Sequence, residues 1–305
     1  MTLKRQIKKI VKWFTPYGIV EYRRKKLNQD QIQKEKEIVN YFNKLDKKSQ
    51  DHEIMEIVNY FENNPFSVFP YNFMKKYRVD NITVYRDEAC KMKYVLHEKK
   101  RMYFPKNWDD DSVRGYYNGL LIEQDTNSPH RYEDDEFHVN NGDILADIGA
   151  AEGLFALSNI EKASKVCLFE CDVEWIGALT KTFEPWMEKV RIINKYISDQ
   201  TKGEYITLDD FLNGGRINFI KADIEGSEIA LLKGAKILLS TQDNLQMVLC
   251  TYHRENDAED LKKILLENGF DTRFTKRYMI FIFDKSLKEP YLRRGIIRAM
   301  KKKIE

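Results

Sequence analysis

The sequence predicts an α/β fold in which a mostly parallel sheet follows a helical and β-rich extension. From Asp143 onward, short apolar segments alternate with amphipathic ones, as strands and crossover helices do in a parallel sheet covered on both faces. The 305 residues include 17 Tyr and 17 Phe, far more than a disordered chain contains. Only 14 Gly and 7 Pro are present, which excludes collagen-like and low-complexity architectures.

Positive charge is concentrated in two terminal segments, which flank an acidic body of residues 28–284. Residues 1–27 hold nine Lys/Arg against one Glu, and residues 285–305 hold eight against two, although the net charge of the whole sequence is only +3. In both segments apolar residues recur with helical spacing, which predicts two basic amphipathic helices. Their apolar faces consist of Leu3, Ile7, Ile10, Val11 and Phe14, and of Leu292, Ile296 and Met300. Such helices suit a surface of anionic lipid. The alternative is that they dock on the acidic body of the protein. Binding to nucleic acid is disfavoured, because the acidic body would repel a phosphate backbone.

The sequence predicts neither a membrane span nor a secretory signal. No uninterrupted apolar stretch approaches about 18 residues, and no apolar core follows the basic N-terminal residues. The four cysteines, Cys90, Cys167, Cys171 and Cys250, lack the spacing of paired metal ligands. We therefore expect a cytoplasmic protein with reduced thiols and no structural zinc, held peripherally on the inner face of the membrane.

Residues 28–80 predict a helical region, and residues 81–140 a small β-rich region. The motif EIVNYF occurs at residues 37–42 and again at 56–61, which predicts two similar helices packed as a hairpin. Alternating apolar residues at 82–85, 93–97 and 101–104 predict short antiparallel strands, and a helix is expected from residue 109 to 121. The irregular stretch 123–136 contains His130, and a lid over a cleft is expected to begin there.

Residues 141–284 predict the main domain. Strands are expected at residues 144–146, 165–169, 190–194, 217–222 and 246–251. Helices are expected at residues 153–160, 173–183, 208–212, 227–239 and 258–268. A final hairpin of residues 272–274 and 278–283 is expected to close the sheet.

The turn after the first core strand, DIGAAEG at residues 147–153, predicts a nucleoside-binding site. Gly149 and Gly153 permit a tight turn and close approach of a ligand. The spacing lacks the second glycine that a pyrophosphate needs, and Asp147 would repel a diphosphate, so NAD and FAD are disfavoured. Glu170 ends the next strand, where a carboxylate can accept the hydroxyls of a ribose. These features suit an adenosine ligand with a positive charge, of which S-adenosylmethionine is the common example.

Polar residues also follow the fourth and fifth core strands. Asp223 and Glu225 come directly after the fourth strand, and Tyr252 and His253 follow the fifth. Because the carboxyl ends of parallel strands meet at one edge of a sheet, we expect His253 and Asp223 to approach each other there. Histidine titrates near neutrality, so His253 is the candidate base for a hydroxyl acceptor.

Two alternatives remain open at these strand ends. His130 is a second candidate base, and with Tyr252 it is a candidate contact to the acceptor. A set of Asp, Glu and His side chains would also suit a divalent cation that acidifies the acceptor hydroxyl. Glu228 falls in the first turn of the next helix, where we expect a cap or a structural acid.

The segments DIGAAEGLFAL, TLDDFL and IKADIEGSEIALLKGA together resemble the FkbM-type methyltransferases that depend on S-adenosylmethionine. The resemblance covers residues 141–284, with EQD..SPHRY just upstream. It implies the seven-stranded, Rossmann-like sheet of class I methyltransferases, and O-methylation of a sugar, a glycan or another small hydroxyl compound.

The resemblance also implies roles for individual residues. The methionine end of the cofactor would lie on the first turn, the ribose on Glu170, and the adenine beside Ser198 and Asp199. Asp223 and Glu225 would face the reacting centre. The residues of the first turn are Asp147, Gly149, Ala150, Glu152 and Gly153.

Two further functional classes fit parts of the sequence. One is an NAD-dependent sugar-modifying enzyme, and the other is a membrane-recruited module that keeps the fold without catalysis. Acids at the first, second and fourth strand ends argue against a module without catalysis, because packing alone does not require such a set. The acceptor, the oligomeric state and the role of the first 80 residues are not predicted.

Overall fold

The computed structural model describes residues 29–45 and 51–301. The predicted basic helix within residues 1–27 lies outside these ranges, as do residues 302–305. The helices are α1 (Gln29–Lys44), α2 (His52–Asn63), α3 (Asp110–Glu123), α4 (Leu154–Asn159), α5 (Val173–Thr182), α6 (Leu208–Leu212), α7 (Glu228–Lys233), α8 (Lys236–Thr241) and α9 (Asp257–Glu267). The strands are β1 (Tyr85–Arg86), β2 (Lys93–His97), β3 (Lys100–Tyr103), β4 (Ile144–Ile148), β5 (Lys165–Phe169), β6 (Val190–Ile193), β7 (Tyr196–Ile197), β8 (Tyr205–Ile206), β9 (Phe219–Ala222), β10 (Leu245–Cys250), β11 (Asp271–Phe274) and β12 (Ile296–Lys301).

Seven strands form the central sheet, in the order β11-β12-β10-β9-β4-β5-β6. The strands β10, β9, β4, β5 and β6 run parallel, whereas β12 pairs antiparallel with both β10 and β11. Helices connect the parallel strands, so the carboxyl ends of β4, β5, β9 and β10 lie along one edge of the sheet. The predicted fold class, an α/β Rossmann-like fold with a mostly parallel sheet of seven strands, is confirmed.

Alternate residues of each strand enter two hydrophobic cores, one on each face of the sheet. Leu145 and Phe219 belong to the first core, and their neighbours Ala146 and Ile220 belong to the second. Because neighbouring strand residues point to opposite faces, strands that are apolar throughout need cover on both sides. Helices α6 to α9 cover the second core, while α4, α5 and the N-terminal extension cover the first. The extension therefore shares a core with the main domain.

The repeated EIVNYF motif forms the helical hairpin that the sequence predicts. Ile38 and Ile57, at the same position of the two copies, are fully buried. The rings of Phe42 and Phe61, which end the two copies, stack with their centroids 5.4 Å apart. Strands β1 to β3 form the predicted small antiparallel sheet. Among the described residues, no helix is both long and apolar enough to cross a membrane.

The predicted C-terminal amphipathic helix is wrong for residues 296–301, which form β12 in the interior of the sheet. Ile296 is fully buried, and Arg298, one of the basic residues of this segment, is also buried and pairs with Asp134. A spacing of four residues, as between Ile296 and Met300, fits the period of a helix and also that of a strand. The apolar pattern therefore did not distinguish the two structures.

Two smaller predictions are also wrong. Residues 278–283 form no strand beside β11; the amide of Ile280 instead donates a hydrogen bond to the carbonyl of Val68 in the extension, at 2.9 Å. The predicted helix over residues 227–239 is divided into α7 and α8 at Gly234. A Cβ atom at Gly234 would clash with the carbonyl oxygen of Ser198, so the chain packs there against the loop after β7.

Candidate active site

The turn between β4 and α4 is held by contacts within the protein. Gly149 (φ +73°) and Gly153 (φ +77°) both adopt the left-handed conformation that favours glycine. A Cβ atom at Gly149 would clash with the carbonyl oxygen of Asp223, and one at Gly153 would lie 2.7 Å from the ring of Phe183. The glycines therefore bring the turn against the ends of β9 and α5, which fixes its position at the edge of the sheet.

Asp147, expected to face the cleft, is buried and forms an ion pair. Its carboxylate lies 2.9 Å from the ammonium of Lys221, which also donates a hydrogen bond of 2.7 Å to the carbonyl of Gly149. Burial alone would lower the pKa of Lys221, but the carboxylates of Asp147 and Asp223 raise it, so the ammonium remains charged. The pair links β4 to β9, and the hydrogen bond from Lys221 holds the carbonyl of Gly149 in the turn.

A small cavity of about 20 Å³ lies beside this ion pair, large enough for one water molecule. Glu123 and Glu152 both line it. Glu152 accepts a hydrogen bond of 2.5 Å from the hydroxyl of Tyr116, and burial raises its pKa to about 7. Burial, together with Asp223 and Glu152, raises the pKa of Glu123 well above its usual value. The carboxyl groups here thus outnumber the single ammonium of Lys221, and a bound cation would stabilise their ionised forms.

Glu170 lies just beyond β5 and holds the turn through backbone amides. One carboxylate oxygen accepts a hydrogen bond from Ala151 at 2.8 Å, and the other accepts from Cys171 and Asp172, each at 2.7 Å. Burial raises the pKa of Glu170, although these three amides oppose the rise. Each carboxylate oxygen has two lone-pair directions, so a ribose hydroxyl could share the oxygen that faces Ala151.

Ser198 and Asp199 follow β7, and Asp199 is exposed. The amide of Ser198 donates a hydrogen bond of 3.0 Å to the carbonyl of Ile206, and its hydroxyl lies 3.3 Å from Asp199. In the part of the chain that the structure describes, neither side chain forms a hydrogen bond with the first turn. Their predicted place beside an adenine stays a prediction.

Asp223 is the centre of a polar cluster at the ends of β9 and β10. Its carboxylate accepts hydrogen bonds from the hydroxyls of Tyr132 and Tyr252, at 3.1 and 3.0 Å. It also lies 3.4 Å from Nε2 of His253 and 3.8 Å from Nε2 of His130. Burial disfavours its charge, but the two histidines and Lys221 outweigh this effect and lower the pKa of Asp223 to about 2.

His253 lies between two carboxylates. Its Nε2 faces Asp223, while its Nδ1 lies 3.3 Å from Oε1 of Glu228. The same oxygen of Glu228 accepts a hydrogen bond of 3.0 Å from the amide of Ile224. Burial would lower the pKa of His253, but Glu228 and Asp223 raise it above the usual value. The predicted approach of His253 and Asp223 is therefore present in the fold.

His130 is also at this cluster, in a different environment. Its Nε2 lies 3.3 Å from the hydroxyl of Tyr252, and its Nδ1 lies 3.8 Å from Glu123. The ring is almost fully buried, and burial lowers its pKa to about 4 in spite of Asp223. At neutral pH His130 is therefore an uncharged imidazole and the weaker base of the two.

Glu225 lies at the opening of the cluster, in the left-handed conformation (φ +56°). Its side chain reaches the surface. The protein on its other sides limits hydration of the carboxyl group and raises its pKa to about 7. The reversal at Glu225 and Gly226 brings α7 back toward the sheet. This places Glu228 behind His253.

Two sets of side chains offer donors for a divalent cation. The ligand atoms of Asp223, Glu228 and His253 lie within 4.8 Å of one another, as do those of His130, Asp223 and Cys250. In the first set, Asp223 and Glu228 lie nearest to different nitrogens of one ring, and an imidazole binds a cation through only one of them. That arrangement suits a shared proton better than a cation held by all three side chains.

Four residues of this site were not predicted from the sequence, although local patterns contain signals for three of them. Lys221 lies two residues before Asp223, so strand periodicity places both on one face. Tyr132 lies in SPHRY, within the segment that resembles one branch of the FkbM family. Glu123 begins the same upstream segment, in EQD. Glu228 was assigned to a cap, because no local pattern shows that its chain segment returns to the cleft.

Comparison with known proteins identifies a family for the central part of the chain. A sequence model described as a methyltransferase FkbM domain matches residues 122–272. No curated protein sequence matches the chain.

Two solved structures are similar to this chain at low sequence identity. The FkbM methyltransferase of Methylobacillus flagellatus KT is 17% identical, with a TM-score of 0.42, over 62% of this chain and 53% of that one, so the match spans about half of its length. An rRNA methylase of Streptococcus thermophilus is 14% identical, with a TM-score of 0.38, over 54% of this chain and 90% of that one.

Proposed function

Because residues 122–272 form a methyltransferase domain of the FkbM family, we propose that this protein transfers a methyl group from S-adenosylmethionine to a hydroxyl of a sugar, a glycan or a similar small acceptor. The observation that carries the proposal is the imidazole of His253 between the carboxylates of Asp223 and Glu228, at the carboxyl ends of β9 and β10. This cluster adjoins the turn at Gly149, because the backbone of that turn packs directly on Asp223.

The residues around the turn suit a cationic nucleoside. Glu123 and Glu152 have raised pKa values because restricted contact with water and neighbouring carboxylates disfavour their charged forms. A sulfonium beside them would favour their ionised forms, whereas a diphosphate would add repulsion. Glu170 retains lone-pair directions for a ribose hydroxyl. In this proposal Asp147 acts indirectly, since it pairs with Lys221 under the turn.

S-adenosylmethionine, when bound, supplies a methyl group that is already strongly electrophilic, so the protein must align the acceptor and receive one proton. Asp223 can accept a hydrogen bond from the acceptor hydroxyl and orient its oxygen. His253 then takes the proton on Nε2, while Glu228 holds Nδ1 and stabilises the imidazolium that forms. Tyr132 and Tyr252 fix the carboxylate of Asp223. His130 is too weak a base for this step, so we assign it with Tyr252 to contact with the acceptor.

A divalent cation is the second possibility for the same side chains, since their ligand atoms lie within 4.8 Å of one another. Removal of metal with a chelator distinguishes the two. Turnover that is unchanged by the chelator supports the imidazole as the base. Turnover that is lost, and then restored by Mg²⁺ or Mn²⁺, supports a metal-activated hydroxyl.

Calorimetry with three nucleosides tests the cofactor. We expect S-adenosylmethionine and S-adenosylhomocysteine to bind the purified protein, and NAD to give no heat. Release of S-adenosylhomocysteine in the presence of a mixed preparation of glycans then tests the transfer. Saturation by NAD with no response to S-adenosylmethionine would contradict the proposal, and cofactor binding without turnover on any acceptor would favour a module without catalysis.

A further inference from the structure

A cavity of about 400 Å³ opens beside α2, outside the cluster around Asp223. Its volume lies within the range of small-molecule sites in proteins, roughly 300–1,000 Å³. Helix α2 and the segment that contains Tyr71 form most of its wall, and the loops at Asn127 and Arg277 complete it. The cavity therefore lies where the N-terminal extension meets the methyltransferase domain.

The charges in the wall of this cavity neutralise each other. Arg277 makes a two-pronged contact with Glu56, through hydrogen bonds of 2.8 and 3.0 Å. A third nitrogen of Arg277 donates to the carbonyl of Asn127 at 2.8 Å, and the guanidinium lies over the ring of Tyr71, 4.9 Å from its centroid. The ion pair lowers the pKa of Glu56 and raises that of Arg277. The wall thus favours a neutral ligand over a phosphate or a carboxylate.

The remaining wall offers the partly buried ring of Phe73 and two side-chain amides. The rings of Tyr71 and Phe73 stack at an angle of 16°, with centroids 6.1 Å apart. The side chains of Asn59 and Asn72 are exposed at the cavity and form no hydrogen bond with residues 29–45 or 51–301. An amide offers both donors and an acceptor, which matches neighbouring hydroxyls, and an aromatic face suits the C–H face of a sugar ring.

We propose that this cavity binds a neutral saccharide and is a subsite for the glycan that the enzyme methylates; this rests on the proposed function. The segment that lines the cavity at Tyr71 also contacts the catalytic cluster, because the ring of Phe69 packs against His130 with centroids 6.5 Å apart. In this proposal, one acceptor of several sugar units occupies both the cavity and the catalytic cluster. None of the residues that line the cavity belongs to a strand, so it offers no strand edge to an extended peptide.

A printed array of oligosaccharides, incubated with the full chain, tests the inference, and calorimetry with the bound oligosaccharide measures its affinity. We expect Phe73→Ala, and the double variant Asn59→Ala/Asn72→Ala, to weaken binding about tenfold each, because each removes contacts from the wall. Asn81→Ala, an exposed asparagine elsewhere in the extension, is the matched control and should bind as the unchanged protein does.

S-adenosylmethionine affinity separates this inference from the proposed function. All variants should bind the nucleoside normally, since no substituted residue lies in the catalytic cluster. If the unchanged protein binds no saccharide of the array, or if the cavity variants bind it as tightly as the control, the inference is wrong. If saccharide binding depends on the cavity but no nucleoside binds, the cavity remains a saccharide site and the proposed function is wrong.

Discussion

Nδ1 of His253 lies 3.3 Å from Oε1 of Glu228, and the same carboxylate oxygen accepts a hydrogen bond from the amide of Ile224. The backbone contact fixes the carboxylate, and the carboxylate in turn fixes the imidazole with Nε2 toward Asp223. Glu228 is therefore a positioning residue for the proposed base, rather than only the cap that the sequence suggests.

The pH dependence of turnover should report this pair. Because Glu228 and Asp223 raise the pKa of His253, kcat should rise with pH through a value above about 6.5, the ordinary value for histidine. Glu228→Gln removes a charge that favours the imidazolium, so the pKa should fall and the acidic limb of the profile should move to lower pH. A limb that does not move would exclude the assigned role of Glu228.

Substitution of the proposed base should slow the chemistry without loss of cofactor binding. His253→Ala is expected to reduce kcat by about 10²–10⁴-fold, the usual contribution of a general base. His130→Ala is the matched comparison and should act mainly on the KM of the acceptor. Full turnover by His253→Ala on the true acceptor would contradict the assignment.

Cofactor binding should release protons near neutral pH. Glu152 and Glu225 both have pKa values of about 7 in the free protein, and a nearby sulfonium lowers the pKa of a carboxyl by favouring its charged form. Calorimetry at pH 7, in buffers of different ionisation enthalpy, should show more protons released by S-adenosylmethionine than by S-adenosylhomocysteine, which lacks the sulfonium charge. Glu152→Gln should reduce the difference, and equal release by both nucleosides would contradict a sulfonium at this place.

The buried ion pair of Asp147 and Lys221 should contribute to the free energy of unfolding. Asp147→Asn leaves a buried ammonium without its partner and is expected to lower the free energy of unfolding by roughly 3–5 kcal/mol. The double variant Asp147→Asn/Lys221→Met removes both charges and should recover much of that loss. Denaturant unfolding of the unchanged protein, of Asp147→Asn, of Lys221→Met and of the double variant measures the coupling, and additive losses would show that the pair does not interact.

We further propose that residues 1–27 attach the protein to anionic lipid. Strand β12 buries Arg298 and removes it from the basic surface that the sequence predicted, so the proposal rests on the N-terminal segment. Vesicles that contain phosphatidylglycerol should carry the full chain upward in a flotation gradient, and a chain without residues 1–27 should stay at the bottom. Equal flotation of the two would exclude the proposal.

Much of the fold could be predicted because its signals are local. Five strand–helix alternations fix the parallel sheet, and the meeting of strand ends brings Asp223 to His253. The position of Glu228 could not be predicted, because it depends on the left-handed residues Glu225 and Gly226, and left-handed geometry at a glutamate has no sequence signature. The partner of Asp147 depends on which strands are neighbours, and periodicity alone does not give their order.

The interior position of β12 also bears on how the protein is made. Strands β10 and β11 lie on either side of it, yet both precede it along the chain. During translation, the edge of β10 that pairs with β12 therefore stays unpaired until about fifty later residues have left the ribosome. In that interval the nascent chain is open to chaperones and to aggregation.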